Sequence, residues 1–153
     1  MRVLLTTLNS KFIHSSLALR YLRAYCSDKP RDMALREFTI NDSMHAVMGE
    51  IYKEAPDIVA FSCYIWNITE TLMLARRIRQ VMKDTVIILG GPEVSYDDRP
   101  LMERHPFIDY VVRGEGEQTF RELMEFLVEG EGKAEDIHGL TFRSQEGIIQ
   151  NRP

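Results

Sequence analysis

Cysteine is scarce: Cys26 and Cys63 are the only two in 153 residues, and no CxxC or CxxxCxxC spacing exists. Neither a structural zinc site nor an iron–sulfur cluster can be built from such a pair, and two reduced thiols set in the fold are the plain reading. Glycine is late to arrive, the first being Gly49. A flavodoxin places a short Ser/Thr and Gly phosphate loop after its first strand, and here only Thr6, Thr7 and Ser10 supply the hydroxyls. Neither GxGxxG nor a P-loop occurs anywhere, which removes the usual dinucleotide and nucleoside-triphosphate sites. An excess of basic residues is missing too. The net charge is −4, with Lys and Arg spread among Asp and Glu, so there is no stripe to neutralise a phosphate backbone and no nucleic-acid partner is expected. No apolar run reaches membrane-spanning length, and MRVLLTTLN turns polar too soon for a signal peptide. A cytoplasmic protein with no membrane partner is the expectation.

What the chain does have is alternation. Apolar runs of strand length at residues 3–8, 35–39, 57–61, 86–89 and 108–112 are separated by stretches of helical period, the pattern of βαβ units on a parallel sheet. Leu17, Tyr21, Leu22 and Tyr25 make one face of a first helix; Met44, Val47, Met48, Ile51 and Tyr52 make a second. Ile68, Leu72, Ala75, Ile78 and Met82 mark a third, with Asn67 and Glu70 spaced as a capping box. Residues 97–105, with Pro100, fit a short helix at best. Phe120, Leu123, Met124 and Leu127 mark the last helix, which Gly130 closes. Five parallel strands in this length favour a flavodoxin-like, Rossmann-type three-layer α/β sandwich of strand order 2-1-3-4-5. Residues 1–131 are expected to form that domain. Residues 132–153, with LTFR and IIQN around SQEG, read as a β-hairpin appendage and a linker.

In that order the sheet opens a crevice at the carboxyl ends of the first and third strands. Three loops reach it. The first, residues 9–16, carries Asn9, Ser10, Lys11, His14, Ser15 and Ser16, more donors and acceptors than a plain connection needs. The second starts Ser62, Cys63, Tyr64 and runs to Trp66; the aromatic pair either lines a pocket or covers the sheet end. The third is Gly90, Gly91, Pro92 and Glu93, where paired glycines let a flat ligand approach the backbone. A fourth segment, RGEGEQTF, places Gly114 and Glu115 at the last helix's N-terminus, either as helix-entry chemistry or as a contact with ligand. A phosphoacceptor receiver is excluded, because Ser62 and Asn9 stand where it needs acidic residues. A flavin-binding or electron-transfer domain and a non-catalytic sensor or interaction domain remain as alternatives.

Four segments in order, VLLTTLNSKFIHSSLALRYLRAY, PDIVAFSCYIWN, VIILGGPEVS and DYVVRGEGEQTFRELM, resemble the N-terminal cobalamin-binding domains of cobalamin-dependent radical S-adenosylmethionine (SAM) proteins. IHGLTFR resembles the strand with which those domains end. The resemblance implies a vitamin B12 cofactor lying across the strand ends, its nucleotide tail reaching into the crevice beside Ser62, Gly90 and Gly91. It implies as cofactor-binding residues Asn9, His14, Ser15, Ser62, Cys63, Tyr64, Gly90, Gly91, Pro92, Glu93, Gly114 and Glu115. It further implies a radical SAM domain of the same polypeptide, carrying S-adenosylmethionine and a 4Fe-4S cluster, with methyl transfer or related radical chemistry in the full-length protein; this chain itself is expected to bind and present the cofactor. One departure stands out. The DxHxxG motif of classical carriers, whose His ligates cobalt, is replaced by NSKFIHSS. His14 is the only histidine in the loop and the sole metal-ligand candidate, but it falls three residues late, and a cobalt without a protein nitrogen is the expectation.

Overall fold

A computed structural model describes residues 1–29 and 32–153. Seven strands form one sheet in the order β2-β1-β3-β4-β5-β6-β7. They are β1 (Arg2–Asn9), β2 (Asp32–Thr39), β3 (Ile58–Ser62), β4 (Val86–Gly90), β5 (Tyr110–Val112), β6 (Leu140–Ser144) and β7 (Gly147–Gln150). The first five run parallel, and β6 and β7 are antiparallel to their neighbours. The helices are α1 (Leu17–Tyr25), α2 (Met44–Glu54), α3 (Ile68–Val81), α4 (Asp98–Arg104) and α5 (Glu117–Met124); α5 runs on through a π-helical turn, Glu125–Glu129.

Residue alternation along the strands sorts the core into two halves. Leu4, Leu8, Val59, Phe61, Ile87 and Leu89 face α2 and α3 and pack on Val47, Ile51, Leu74 and Ile78. Val3, Leu5, Ile58, Ala60, Ile88 and Val112 face the other way, toward Leu19 of α1 and Phe120, Leu123 and Met124 of α5. Each large side chain among them contributes about 1.5–3 kcal/mol by leaving water. Ser16 and Ser43 cap α1 and α2 by accepting from the backbone N–H groups of Leu19 and Ala46, which starts each helix immediately after the loop that precedes it.

Three sequence expectations are amended. The hairpin is not an appendage: β6 pairs with β5, so the sheet has seven strands rather than five. A buried carboxylate fastens it, since Asp98 at the start of α4 accepts from the Thr141 hydroxyl and from Gln150 Nε2 at 3.0 Å. The fifth strand is shorter than residues 108–112, because the Asp109 carboxylate takes the Ile87 N–H at 2.8 Å and Arg79 Nη2 at 2.6 Å. Asn67 precedes α3 as expected, but its side chain makes no cap bond; it is spent elsewhere.

Candidate functional site

The loops at the carboxyl ends of β1, β3, β4 and β5 gather at one edge, and the sheet surface beneath them dips. On the side facing α1 and α5, Ala60 and Ser62 of β3 lie next to Ile88 and Gly90 of β4, with Ser62 paired to Gly90 and Gly90 to Val112. Small residues at this level leave a slot of about 150 Å3 between sheet and helices, its walls completed by Leu19 and Leu22 of α1 and Phe120 of α5. Cavities of about this volume with apolar walls take up a benzene-sized ring. Ser62 is only 6% exposed and lines the slot, adding a hydroxyl to walls that are otherwise largely hydrocarbon.

The backbone around the slot is held by side chains below it. Asn67, fully buried, receives the Tyr64 N–H on Oδ1 at 2.8 Å and donates through Nδ2 to the carbonyls of Leu8 and Ser62. The Thr7 hydroxyl donates to that same Ser62 carbonyl at 2.8 Å. Gly91 has a φ of +101°, and a Cβ there would sit 2.5 Å from the Cys63 carbonyl oxygen. Its missing side chain is therefore required by the neighbouring loop, whereas a Cβ on Gly90 would meet Val112 O at an ordinary 3.5 Å. Ser95 links the next two loops, donating to Gly91 O at 2.8 Å and accepting from Gly114 N at 3.1 Å. Gly114 and Gly116 both take positive φ and bring the chain into α5.

Seven of the residues expected to bind cofactor line this slot or its rim: Ser62, Tyr64, Gly90, Gly91, Pro92, Gly114 and Glu115. Tyr64 stacks flat on Trp66, ring centres 4.5 Å apart, and leaves the opening beside Ser62 free. Five others are placed elsewhere. Cys63 points into the α2–α3 half of the core, where burial pushes its thiol up to about 12, so it is inert at neutral pH. Glu93 is exposed, joined to the site only through its N–H on Cys63 O at 3.4 Å. Asn9 shapes the first loop from below, donating to His14 O at 2.9 Å and to Glu37 Oε1 at 3.1 Å. Ser15 and His14 are exposed on that loop, and the His14 ring meets the Ser10 hydroxyl at 3.2 Å. No group of three or more His, Cys, Asp or Glu able to hold a metal ion occurs among the described residues.

Two organising residues escaped the sequence reading. Glu37 on β2 accepts from Asn9, from the Ser16 N–H and from Arg20, at 3.1 Å in the last case, and so fixes both ends of the first loop. A lone Glu in a half-exposed strand gives no sequence signal. Asn67 was legible only as a helix-start residue. Beside the slot, past Gly114 to Glu117, the surface widens into an open groove of about 1140 Å3 that includes Tyr21, Tyr25, Tyr96, Arg113, His138 and Pro153. No helix among the described residues is long and apolar enough to cross a membrane.

Residues 3–124 match the family model for the B12 binding domain. The chain is 31% identical over 138 residues to 2-(S-pantetheinyl)-carbapenam-3-carboxylate methyltransferase of Streptantibioticus cattleyicolor, covering 86% of this chain and 20% of that protein. It is 39% identical over 107 residues to the cobalamin-dependent radical SAM methyltransferase TokK of Streptomyces tokunonensis, covering 67% of this chain and 15% of that one. Among solved structures, the cobalamin-dependent S-adenosylmethionine radical enzyme OxsB with aqua-cobalamin and S-adenosylmethionine bound superposes with a TM-score of 0.83 at 19% identity, over 99% of this chain and 22% of that one. The chain thus spans about a fifth of the length of the relatives it matches.

Proposed function

The chain belongs to the B12 binding domain family, and from that premise we propose that it holds cobalamin for a radical SAM methyltransferase of which it forms one part. The observation that carries the reading is the slot itself: apolar walls from Ala60, Gly90, Leu19 and Phe120 with Ser62, 6% exposed, placing one hydroxyl among them. A buried heteroaromatic base needs such walls and one donor for its ring nitrogen.

In this reading Ser62, Ala60 and Gly90 hold the base of the nucleotide tail. Gly91, Pro92, Tyr64, Gly114 and Glu115 border it, and the loop with Asn9, His14 and Ser15 lies toward the edge of the corrin. Bound cobalamin supplies a cobalt that carries and gives up an alkyl group; the protein's part is to bind, orient and exclude water. His14 does not serve as a cobalt ligand in this proposal. Its ring neighbour is a serine hydroxyl, with no carboxylate to fix a tautomer. The S-adenosylmethionine, the 4Fe-4S cluster and the radical chemistry belong to a separate domain of the same polypeptide, which residues 132–153 lead toward after adding β6 and β7 to the sheet of residues 1–131. A cytoplasmic location belongs to the same proposal.

The test is to mix the purified chain with hydroxocobalamin, desalt it, and record the visible spectrum. Retention of about one equivalent, with corrin bands, supports the reading. Loss of all colour, or retention of FMN in a parallel run instead, defeats it.

A further inference from the structure

Resting on the cobalamin reading, we infer that the slot chooses among cobamides by the base of their tail: it admits a benzimidazole or phenolic base and rejects a purine. Leu19, Leu22, Ala60, Ile88 and Phe120 present only hydrocarbon to the slot. Ser62 adds a single hydroxyl. The polar groups just outside are already engaged. The Gly90 carbonyl accepts the Cys63 N–H at 2.7 Å, and the Asn67 amide and Thr7 hydroxyl are turned to backbone carbonyls. Glu115 is exposed at the rim and faces water.

Dimethylbenzimidazole, joined to ribose through one nitrogen, keeps one acceptor nitrogen, and one hydroxyl satisfies it. Adenine joined the same way keeps three ring nitrogens and an exocyclic amine. Among the walls that would cover it, Leu19, Leu22, Ala60, Ile88 and Phe120 offer these atoms nothing, leaving Ser62 with Tyr64 and Glu117 of the lining as the side chains able to partner them. Within the slot the faces of the ring are covered by hydrocarbon, so polar atoms turned toward those walls are left unpaired. A site that leaves a ligand's polar groups unpaired discriminates far more strongly than one that lacks a methyl contact. A p-cresol base has no ring nitrogen and fits the same walls, at the loss of one neutral hydrogen bond.

The expected order is therefore cobalamin, then the cresolyl cobamide, then the adeninyl cobamide, with at least about tenfold between the first and the last. Adenine is the weaker ligand for cobalt and leaves the metal more readily, so a preference for cobalamin cannot come from that release. Affinities are read from corrin absorbance on titrating the chain with each cobamide and with cobinamide, which has no nucleotide tail. Ser62→Ala is expected to lower cobalamin affinity about fivefold while leaving the cresolyl form unchanged, closing the gap between them. Ala60→Ser, which adds a second hydroxyl to the inner wall, is expected to raise the adeninyl form relative to cobalamin. Equal affinity for cobalamin and the adeninyl form, or cobinamide binding as tightly as cobalamin, overturns the selectivity and leaves the cobalamin reading intact. Failure of all four corrinoids to bind overturns both.

Discussion

The Asn67 amide nitrogen lies 3.2 Å from the Ser62 carbonyl oxygen and 3.0 Å from that of Leu8. One buried side chain thereby fixes the end of β3 against the end of β1 and sets the height of the Ser62 hydroxyl in the slot. Asn67→Asp exchanges the donor for an oxygen facing two carbonyls. We expect it to cost about 2–4 kcal/mol, read as a lowered denaturant midpoint at constant slope, with cobalamin retention falling in parallel. A variant with the wild-type midpoint would remove Asn67 from this role.

The two glycines after β4 are expected to separate stability from binding. Gly91→Ala forces a Cβ onto the Cys63 backbone at a φ of +101° and is expected to destabilise by about 2 kcal/mol or more. Gly90→Ala meets only ordinary contacts, so its midpoint stays within about 1 kcal/mol of wild type, while its methyl enters the slot and cuts cobalamin retention. Thermal melts alongside desalting assays would reveal the split, and equal effects of both changes would contradict it.

Filling the slot and trimming the loop are expected to differ as sharply. Ser62→Trp occupies the space between Leu19 and Gly90 and abolishes retention of hydroxocobalamin. His14→Ala leaves retention and corrin bands nearly as they were. A clear shift of those bands in His14→Ala would make that histidine a cobalt ligand after all.

Acid stability should bear the mark of Glu54. Arg36, 2.6 Å away, and then Arg2 hold its carboxyl below the ordinary value of 4.5, and the cluster joins α2 to β1 and β2. A carboxyl with a depressed folded pKa stabilises above its unfolded value, and the benefit fades as pH falls through the folded one. Glu54→Gln is accordingly expected to be less stable than wild type at pH 7 and to converge with it below pH 4.5. A stability difference that persists unchanged to pH 3 would refute the assignment.

Much of this was legible in the residues themselves. The solidly apolar runs of β3 and β4 and the 3.6-residue period of α3 announce buried parallel strands and a crossover helix, because covering both faces of a sheet leaves few alternatives. The order 2-1-3-4-5 follows from that, and so does the edge at which Ser62, Gly90 and Gly114 meet. What stayed hidden depends on partners distant in sequence. Nothing in LTFR tells that Leu140 will pair with Val112, since a two-stranded hairpin reads alike whether it stands alone or extends a sheet. Nothing in the Asn67–Glu70 spacing tells that the amide will turn down to Leu8, 59 residues away. The paired glycines fall at the end of β4 as read, and the close approach of Gly91 to the Cys63 backbone was not visible in the sequence. Alternation along a strand reports which face a residue takes; it does not report who occupies the other side.

The terminal hairpin has a geometric effect beyond the two strands it adds. Leu140 starts β6 beside Val112, and β7 turns back so that Gln150 pairs with Thr141; Asn151 and Arg152 are then bonded to Leu140 and Gly139. Pro153 consequently lies in the open groove that adjoins the slot across Gly114 to Glu117. A module tethered beyond it would meet a ligand in the slot at an effective concentration that the length of its tether sets. Lengthening that tether would dilute the encounter without altering a single contact in the slot.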